Sequence, residues 1–182
     1  VYAFQPRTGK QIWKYQASPR GINTTPMVDE NGIVYCAQGE KNETDKTILG
    51  SIFAFDGNTS GDITEDKLLW KVPGITVSRC APVKVDDRIY IVDDGAKMYA
   101  FDAKSGEELH SKKLGRLMYG SLMVADGKIY AAENSGQIYI ILPKKDEIEV
   151  LSKVRLDDDG ECFGTPMTYA GRVYIPTTTG MY

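Results

Sequence analysis

The chain carries one imidazole, three thiols and one run of residues spaced like cation ligands, and each implies a chemistry that the rest of the sequence must support. From Asp56, the stretch DGNTSGDITEDK puts Asp56, Asn58 and Ser60 at the first, third and fifth places of an EF-hand calcium loop, with Gly61 sixth, Asp62 beside it and Ile63 eighth. The twelfth place, where a bidentate glutamate closes such a site, holds Lys67, whose ammonium opposes the ion. Asp56 ends one strand-like run and Leu68 begins another, so no helices flank the loop. The reading is a lengthened turn in which Asp62, Thr64 and Glu65 satisfy backbone donors. A weak calcium site at Asp56, Asn58, Ser60 and Asp62 is the alternative.

A second acidic run, LDDDGEC at Leu156 to Cys162, reads as a solvated loop, with cation binding as its alternative. Ser-His-Asp or Cys-His catalysis would need His110 as the base, because there is no other imidazole. His110 lies in a polar, strand-like run and reads as a packing residue. Cys36, Cys80 and Cys162 make no C-x-x-C and no zinc spacing with it, so they read as small buried thiols, reduced rather than paired. No catalytic residue is assigned, and the chain reads as a binding module sooner than an enzyme.

The bulk figures narrow the partners. In 182 residues, 22 basic and 25 acidic side chains are interspersed, giving a net charge of −3 and no basic stripe to neutralise phosphates. Nucleic acid is therefore not an expected partner. No apolar run approaches the ~18 residues of a membrane-spanning helix, and VYAFQPRTGK at the start lacks the charged and apolar regions of a signal peptide. The opening reads as if cut from something longer.

The elements that would hold a site recur with a regular step. VYAFQ, IFAFD, MYAFD, IYIIL and the terminal MY place Tyr2, Phe53, Tyr99, Tyr139 and Tyr182 at steps of 51, 46, 40 and 43 residues. IVYCA, RIYIV, KIYAA and RVYIP place Tyr35, Tyr90, Tyr130 and Tyr174 at steps of 55, 40 and 44. Two independent markers keep one period near 40 to 45, the length of a four-stranded propeller blade. Asn31-Gly32 and Asp126-Gly127 offer the positive-φ residues of tight hairpins. Runs such as IFAFD and IYIIL are apolar on consecutive residues and so must be covered on both faces. The fourth strands, QIWKY, KLLWKV and ELHSK, are more polar, and Lys14 and Lys71 suit an outer edge kept free of pairing. The expectation is an all-β propeller in one domain, 1–182, with repeat units near 1–23, 24–79, 80–119, 120–163 and 164–182. That is about four blade equivalents, and the family resemblance set out below implies that they form an arc of a larger, eight-bladed ring, the rest of which would be its neighbour. A closed four-bladed ring is the alternative.

Ala3 to Trp13, AFQPRTGKQIW, resembles the tryptophan-docking repeat of the pyrroloquinoline-quinone (PQQ)-like propellers, A-x-D-x-x-T-G-K-x-x-W. Ala54 to Trp70 repeats it with a longer turn, and Ala100 to His110 keeps Ala100, Asp102 and Gly106 with His110 in the tryptophan place. Trp13, Trp70 and His110 are thus expected to dock each blade on the next. Gly61 to Glu107 resembles exported PQQ-like repeat proteins of planctomycetes and related bacteria. That resemblance implies a periplasmic or extracellular address and a binding or scaffold role, comparable in type to propeller lipoproteins that assist outer-membrane assembly. It also implies PQQ and calcium as candidate cofactors. The quinone dehydrogenases of this superfamily use adjacent cysteines, calcium held by carboxylate and amide groups, and an aspartate base, and these residues are not recognisable here. No cofactor is expected; a dehydrogenase fragment with its catalytic residues elsewhere, and a carbohydrate-binding propeller, are the alternatives.

Topology places recognition on the face carrying the crossings between blades and the loops between second and third strands, since the other turns are tight. Arg20 and Arg116 each stand six residues before a strand reference, Pro26 and Leu122. With Asn23, Arg79, Tyr119, Asn134 and Phe163 they are expected to line a polar, aromatic mouth for a protein partner, a small ligand or a glycan.

Overall fold

The computed structural model describes residues 1–156 and 160–182. Strands β1 (Tyr2–Phe4) and β2 (Gln11–Tyr15) form an antiparallel pair, and three four-stranded antiparallel sheets follow. The first holds β3 (Met27–Val28), β4 (Ile33–Lys41) and β5 (Leu49–Asp56); after β6 (Gly61–Ile63) and a 3-10 turn at Glu65–Lys67, it is completed by β7 (Leu68–Pro73). The second is β8 (Val83–Val85), β9 (Arg88–Val92), β10 (Lys97–Asp102) and β11 (Glu108–Lys113). The third is β12 (Met123–Ala125), β13 (Lys128–Glu133), β14 (Gln137–Pro143) and β15 (Ile148–Arg155), and β16 (Met167–Tyr169) pairs with β17 (Arg172–Tyr174). Each sheet runs in chain order from a short inner strand to a polar outer one. This is an arc of an all-β propeller, with blades one to five in chain order. The sheets of β1 and β17 are separate among the described residues, so the closed four-bladed alternative is not formed.

Packing follows from the twofold period of a strand, which turns successive side chains to opposite faces. On β4 and β5, Val34, Cys36, Phe53 and Phe55 face blade one and pack with Trp13, Tyr15 and Ile63. Their neighbours Tyr35, Ala37, Ile52 and Ala54 face blade three and pack with Trp70, Ile89, Ile91 and Phe101. A strand flanked by two blades needs apolar residues at every position, and that is the pattern the sequence shows.

Trp13 lies opposite Ala3 and Trp70 opposite Ala54, so the two indoles hold equivalent places despite unequal turns. Both are nearly buried, at 6% and 7% exposure. Each donates its indole N–H to a carbonyl of the next blade, Trp13 to Gly57 at 2.8 Å and Trp70 to Ala103 at 2.9 Å. His110 lies opposite Ala100 in the same register, and its Nε2 is 2.9 Å from the Lys145 carbonyl of blade four.

The turns divide into two kinds. Asp126 and Gly127 both take positive φ, closing a two-residue hairpin between Ala125 and Lys128. Asn31 does not, contrary to expectation: only Gly32 is left-handed there. Asp29 Oδ1 accepts the amides of Asn31 and Ile33, and that asparagine-type turn absorbs the extra residue. At the entry to the third strand, blades two and four use Gly50 (φ 75°) and Gly136 (φ 84°), whereas blade three uses buried Ala96 at φ 62°. Ala96→Gly is therefore expected to change stability by less than about 1 kcal/mol, because relief of left-handed strain is offset by added chain entropy and by the loss of a buried core methyl. A urea midpoint shifted by the equivalent of about 2 kcal/mol or more, in either direction, would contradict this.

The lengthened turn of blade two is more than a turn. Its strand β6 pairs in parallel with β2 of blade one, Trp13 with Gly61, Lys14 with Asp62 and Tyr15 with Ile63. Ile63 is buried against Trp13 and Tyr15, Asp62 reaches Lys14 at 3.2 Å, and Glu65 holds both Thr44, at 2.9 Å, and Lys71. Two expectations are corrected. Lys14 does not mark a free edge, because β6 covers it. Asp62 and Glu65 bind side chains of blades one and two rather than capping their own loop.

Candidate functional site

The crossings between blades bring one residue to the same place four times. Asn23, Arg79, Tyr119 and Phe163 each stand four residues before the first residue of an inner strand, Met27, Val83, Met123 and Met167. Three of them form a column. The Arg79 guanidinium lies 4.2 Å from the centre of the Tyr119 ring, and that ring stacks on Phe163 at 6.3 Å and 25°. A guanidinium over a tyrosine face is attracted by the ring quadrupole. Tyr119 is thus in contact with both neighbours and half-buried, while Phe163 stays 43% exposed at the end of the column.

The loops between second and third strands hold these crossings in place. Asp94 accepts the Ser78 amide at 2.7 Å and its hydroxyl at 2.5 Å, just before Arg79. Asn134 Oδ1 accepts the Tyr119 amide at 3.0 Å, and the Asn134 carbonyl accepts the Cys162 amide next to Phe163. Glu133 takes the amides of Arg116, Leu117 and Ser135 together with the Ser135 hydroxyl. Burial works to raise the Glu133 pKa, but these hydrogen bonds outweigh it and hold the carboxyl below its usual range. Hydroxyls then tie crossing to crossing: Ala81 donates its amide to Ser121 Oγ at 2.9 Å, and Ser121 donates its own to Thr165 Oγ1 at 3.2 Å. The column stands on a braced base.

The remaining candidates scatter. Arg20 is exposed and pairs with Glu40 at 3.6 Å, and Asn23 is exposed outside the column. Arg116 leaves the column for a cleft on blade four. Asn134 does not line a mouth: it is 5% exposed and sits beneath Tyr119, with its Nδ2 lacking a hydrogen-bond partner. Sequence reasoning missed Ser78, Asp94, Ser121, Glu133 and Thr165. A usable signal existed, since Asp94 and Asn134 each follow a marker tyrosine, Tyr90 and Tyr130, by four residues.

Nothing in the loop from Asp56 converges on a cation. Asp56 Oδ1 accepts the Asn58 amide, Asn58 Nδ2 donates to the Asn31 carbonyl, Ser60 is exposed, and Asp62 faces Lys14. The Lys67 ammonium sits 3.1 Å from the Asp62 carbonyl, where it would oppose an ion. Among the described residues no three His, Cys, Asp or Glu side chains gather for a metal. Of the second acidic run, Asp157 to Asp159 lie outside the described residues. Millimolar calcium is accordingly expected to leave the melting temperature unchanged, since only a ligand of the folded state raises it. A rise that Asp56→Ala abolishes would restore the calcium reading.

The thiols are buried and form no disulfide among themselves, Cys36 against blade one, Cys80 under the crossing to blade three and Cys162 under that to blade five. Burial pushes the Cys80 thiol up to about 11 and raises Cys36 as well. A thiol held neutral is neither a nucleophile nor a ready metal ligand. With these cysteines apart and His110 on an outer strand, the described residues show neither an adjacent cysteine pair nor gathered carboxylates of the kind the resemblance implies for a quinone and calcium centre.

Comparison with known proteins agrees with this geometry. The designed protein Ika8 superposes with a TM-score of 0.73 at 14% identity, over 97% of this chain and 49% of that one. BamB from Moraxella catarrhalis gives 0.66 at 16% identity, over 99% and 50%, and a quinohemoprotein alcohol dehydrogenase from Pseudomonas putida gives 0.64 at 14%, over 91% and 30%. At such identities the likeness shows the fold alone, and the chain spans about half the length of BamB and of Ika8. No curated protein matches it in sequence. The family model described as outer membrane protein assembly factor BamB matches residues 1–175, and the chain belongs to that family of PQQ-like repeat propellers.

Proposed function

We propose that this propeller is a non-catalytic binding or scaffold module of an exported bacterial protein, and that it recognises a protein partner at the face where the crossings emerge. The observation that carries the reading is the Arg79–Tyr119–Phe163 column, an exposed ring and a guanidinium set on a hydrogen-bonded base. Arginine and aromatic side chains on rigid supports dominate binding energy at protein interfaces. A protein partner is favoured over a glycan because the Tyr119 ring is already engaged by Arg79 and Phe163. The family description, an assembly factor of the outer membrane, supports both the scaffold role and an address in the periplasm or beyond.

The dehydrogenase fragment remains the rival, since the structural neighbours include a quinohemoprotein alcohol dehydrogenase and a methanol dehydrogenase. Incubating the full-length protein with PQQ and calcium, followed by gel filtration, separates the two. The binding reading expects no quinone absorbance to stay with the protein and no dye-linked oxidation of alcohols or sugars. Retained quinone with turnover would favour the dehydrogenase.

A further inference from the structure

The outer edge of β2 receives β6 as an added parallel strand, with Asp62 facing Lys14. The molecule therefore shows within itself that an outer edge of this propeller accepts an extended segment and matches its charges. Strand β15 is the longest outer strand, eight residues, and among the described residues it pairs only with β14. Its outward backbone groups are a template for pairing. Leu151 and Val154 are 46% and 51% exposed along it, so the edge is not protected by charge over its middle.

At its far end the same strand lines a cleft of about 390 Å³ with Arg116, Ser135, Gln137, Lys153 and Arg155. None of the three cations has an ion-pair partner among the described residues. The cleft carboxylate, Glu133, is already engaged by four donors. At the opposite end Glu147 and Glu149 share the single cation Lys144, leaving a net negative charge there, so the positive charge of β15 is polarised toward Lys153 and Arg155. Those two residues are two apart and share one face of the strand, about 7 Å from each other. Acidic residues at alternate places on an added strand would meet them in register.

We propose that the outer edge of β15 is a docking site for an extended peptide strand with acidic residues at alternate positions. Its backbone pairs with β15, and its carboxylates sit against Lys153, Arg155 and Arg116. This is a surface separate from the crossing column, and its recognition mode is strand addition.

The test is fluorescence anisotropy of the full-length protein with a labelled ten-residue peptide alternating glutamate with valine or threonine. Saturable binding is expected, weakened at least about tenfold, or 1.4 kcal/mol, by Lys153→Glu with Arg155→Glu. A second peptide, N-methylated along one backbone edge, leaves the protein untouched and separates strand addition from simple charge attraction. Methylation along one edge is expected to abolish binding, and along the other to leave it intact. Equal binding by both methylated peptides, full competition by inorganic phosphate at millimolar concentration, or no saturable binding of the parent peptide would each overturn the proposal.

Discussion

Trp70→Ala is expected to lower the unfolding free energy by about 3–5 kcal/mol, the cost of emptying a buried indole site that cannot collapse. The ring lies between Tyr35 and Phe101 of adjacent blades, at 6.0 and 6.4 Å, and its N–H is the donor to Ala103. The site is rigid because the next blade is shaped to it. A Cβ on Gly106 would stand 2.6 Å from Trp70 Cδ2, and Gly106 has φ 73°. Gly106→Val is therefore expected to damage the same contact from the other side, by steric overlap and by left-handed strain. Combining both substitutions should cost less than their sum, because removing the indole makes room for the added side chain. Urea unfolding of the three variants checks this. Additive losses would mean that the glycine and the indole do not share one contact.

The second large effect is expected where blades two and three meet at the inner rim. Lys84 of β8 reaches Asp29 at 2.7 Å and Glu30 at 2.9 Å, and the Asp29 side chain is only 3% exposed. Asp29 also accepts the amides of Asn31 and Ile33 and the Tyr35 hydroxyl. Burial works to raise its pKa, but the Lys84 ammonium and the two amides outweigh it and hold the carboxyl below its usual range. Lys84→Met leaves a buried carboxylate without its cation and is expected to cost about 3 kcal/mol at neutral pH. The sign with pH follows from the depressed value. The stabilisation from Asp29 is present above its unfolded pKa of about 3.9 and is lost as pH falls through the lower folded pKa. The wild type should therefore lose its advantage over Lys84→Met below about pH 4. A gap that persists at pH 2 would show that lost packing of the lysine stem, not charge, was the cause.

The repeat was legible because a blade must bury both faces of its middle strands. Phe53, Tyr99 and Tyr139 are fixed in type by that demand, and their spacing exposes the period. The column was legible only in part. Arg79, Tyr119 and Phe163 stand out as large side chains in short crossings, but their stacking depends on the angle between successive blades, which no local pattern encodes. The acids beneath them look like ordinary residues until Asp94 is seen to hold Ser78 and Glu133 to hold Arg116 and Leu117, and Asn134, expected to line the mouth, instead holds Tyr119 from below. The role of the lengthened turn was least legible of all. GDI is too short and too polar to read as a strand, and it becomes one because β2 offers an edge and Lys14 a charge for Asp62.

The most direct measurement of the central claim is site-specific photo-cross-linking of the full-length protein in living cells of the organism that produces it. A photoreactive amino acid is placed at Phe163, on the crossing face, and in parallel at Lys104, in a turn on the opposite face. The expected result is one discrete adduct from position 163 that is lost on Arg79→Ala and is absent from position 104. Equal adducts from both positions, or an adduct indifferent to Arg79, would contradict recognition at the crossing column.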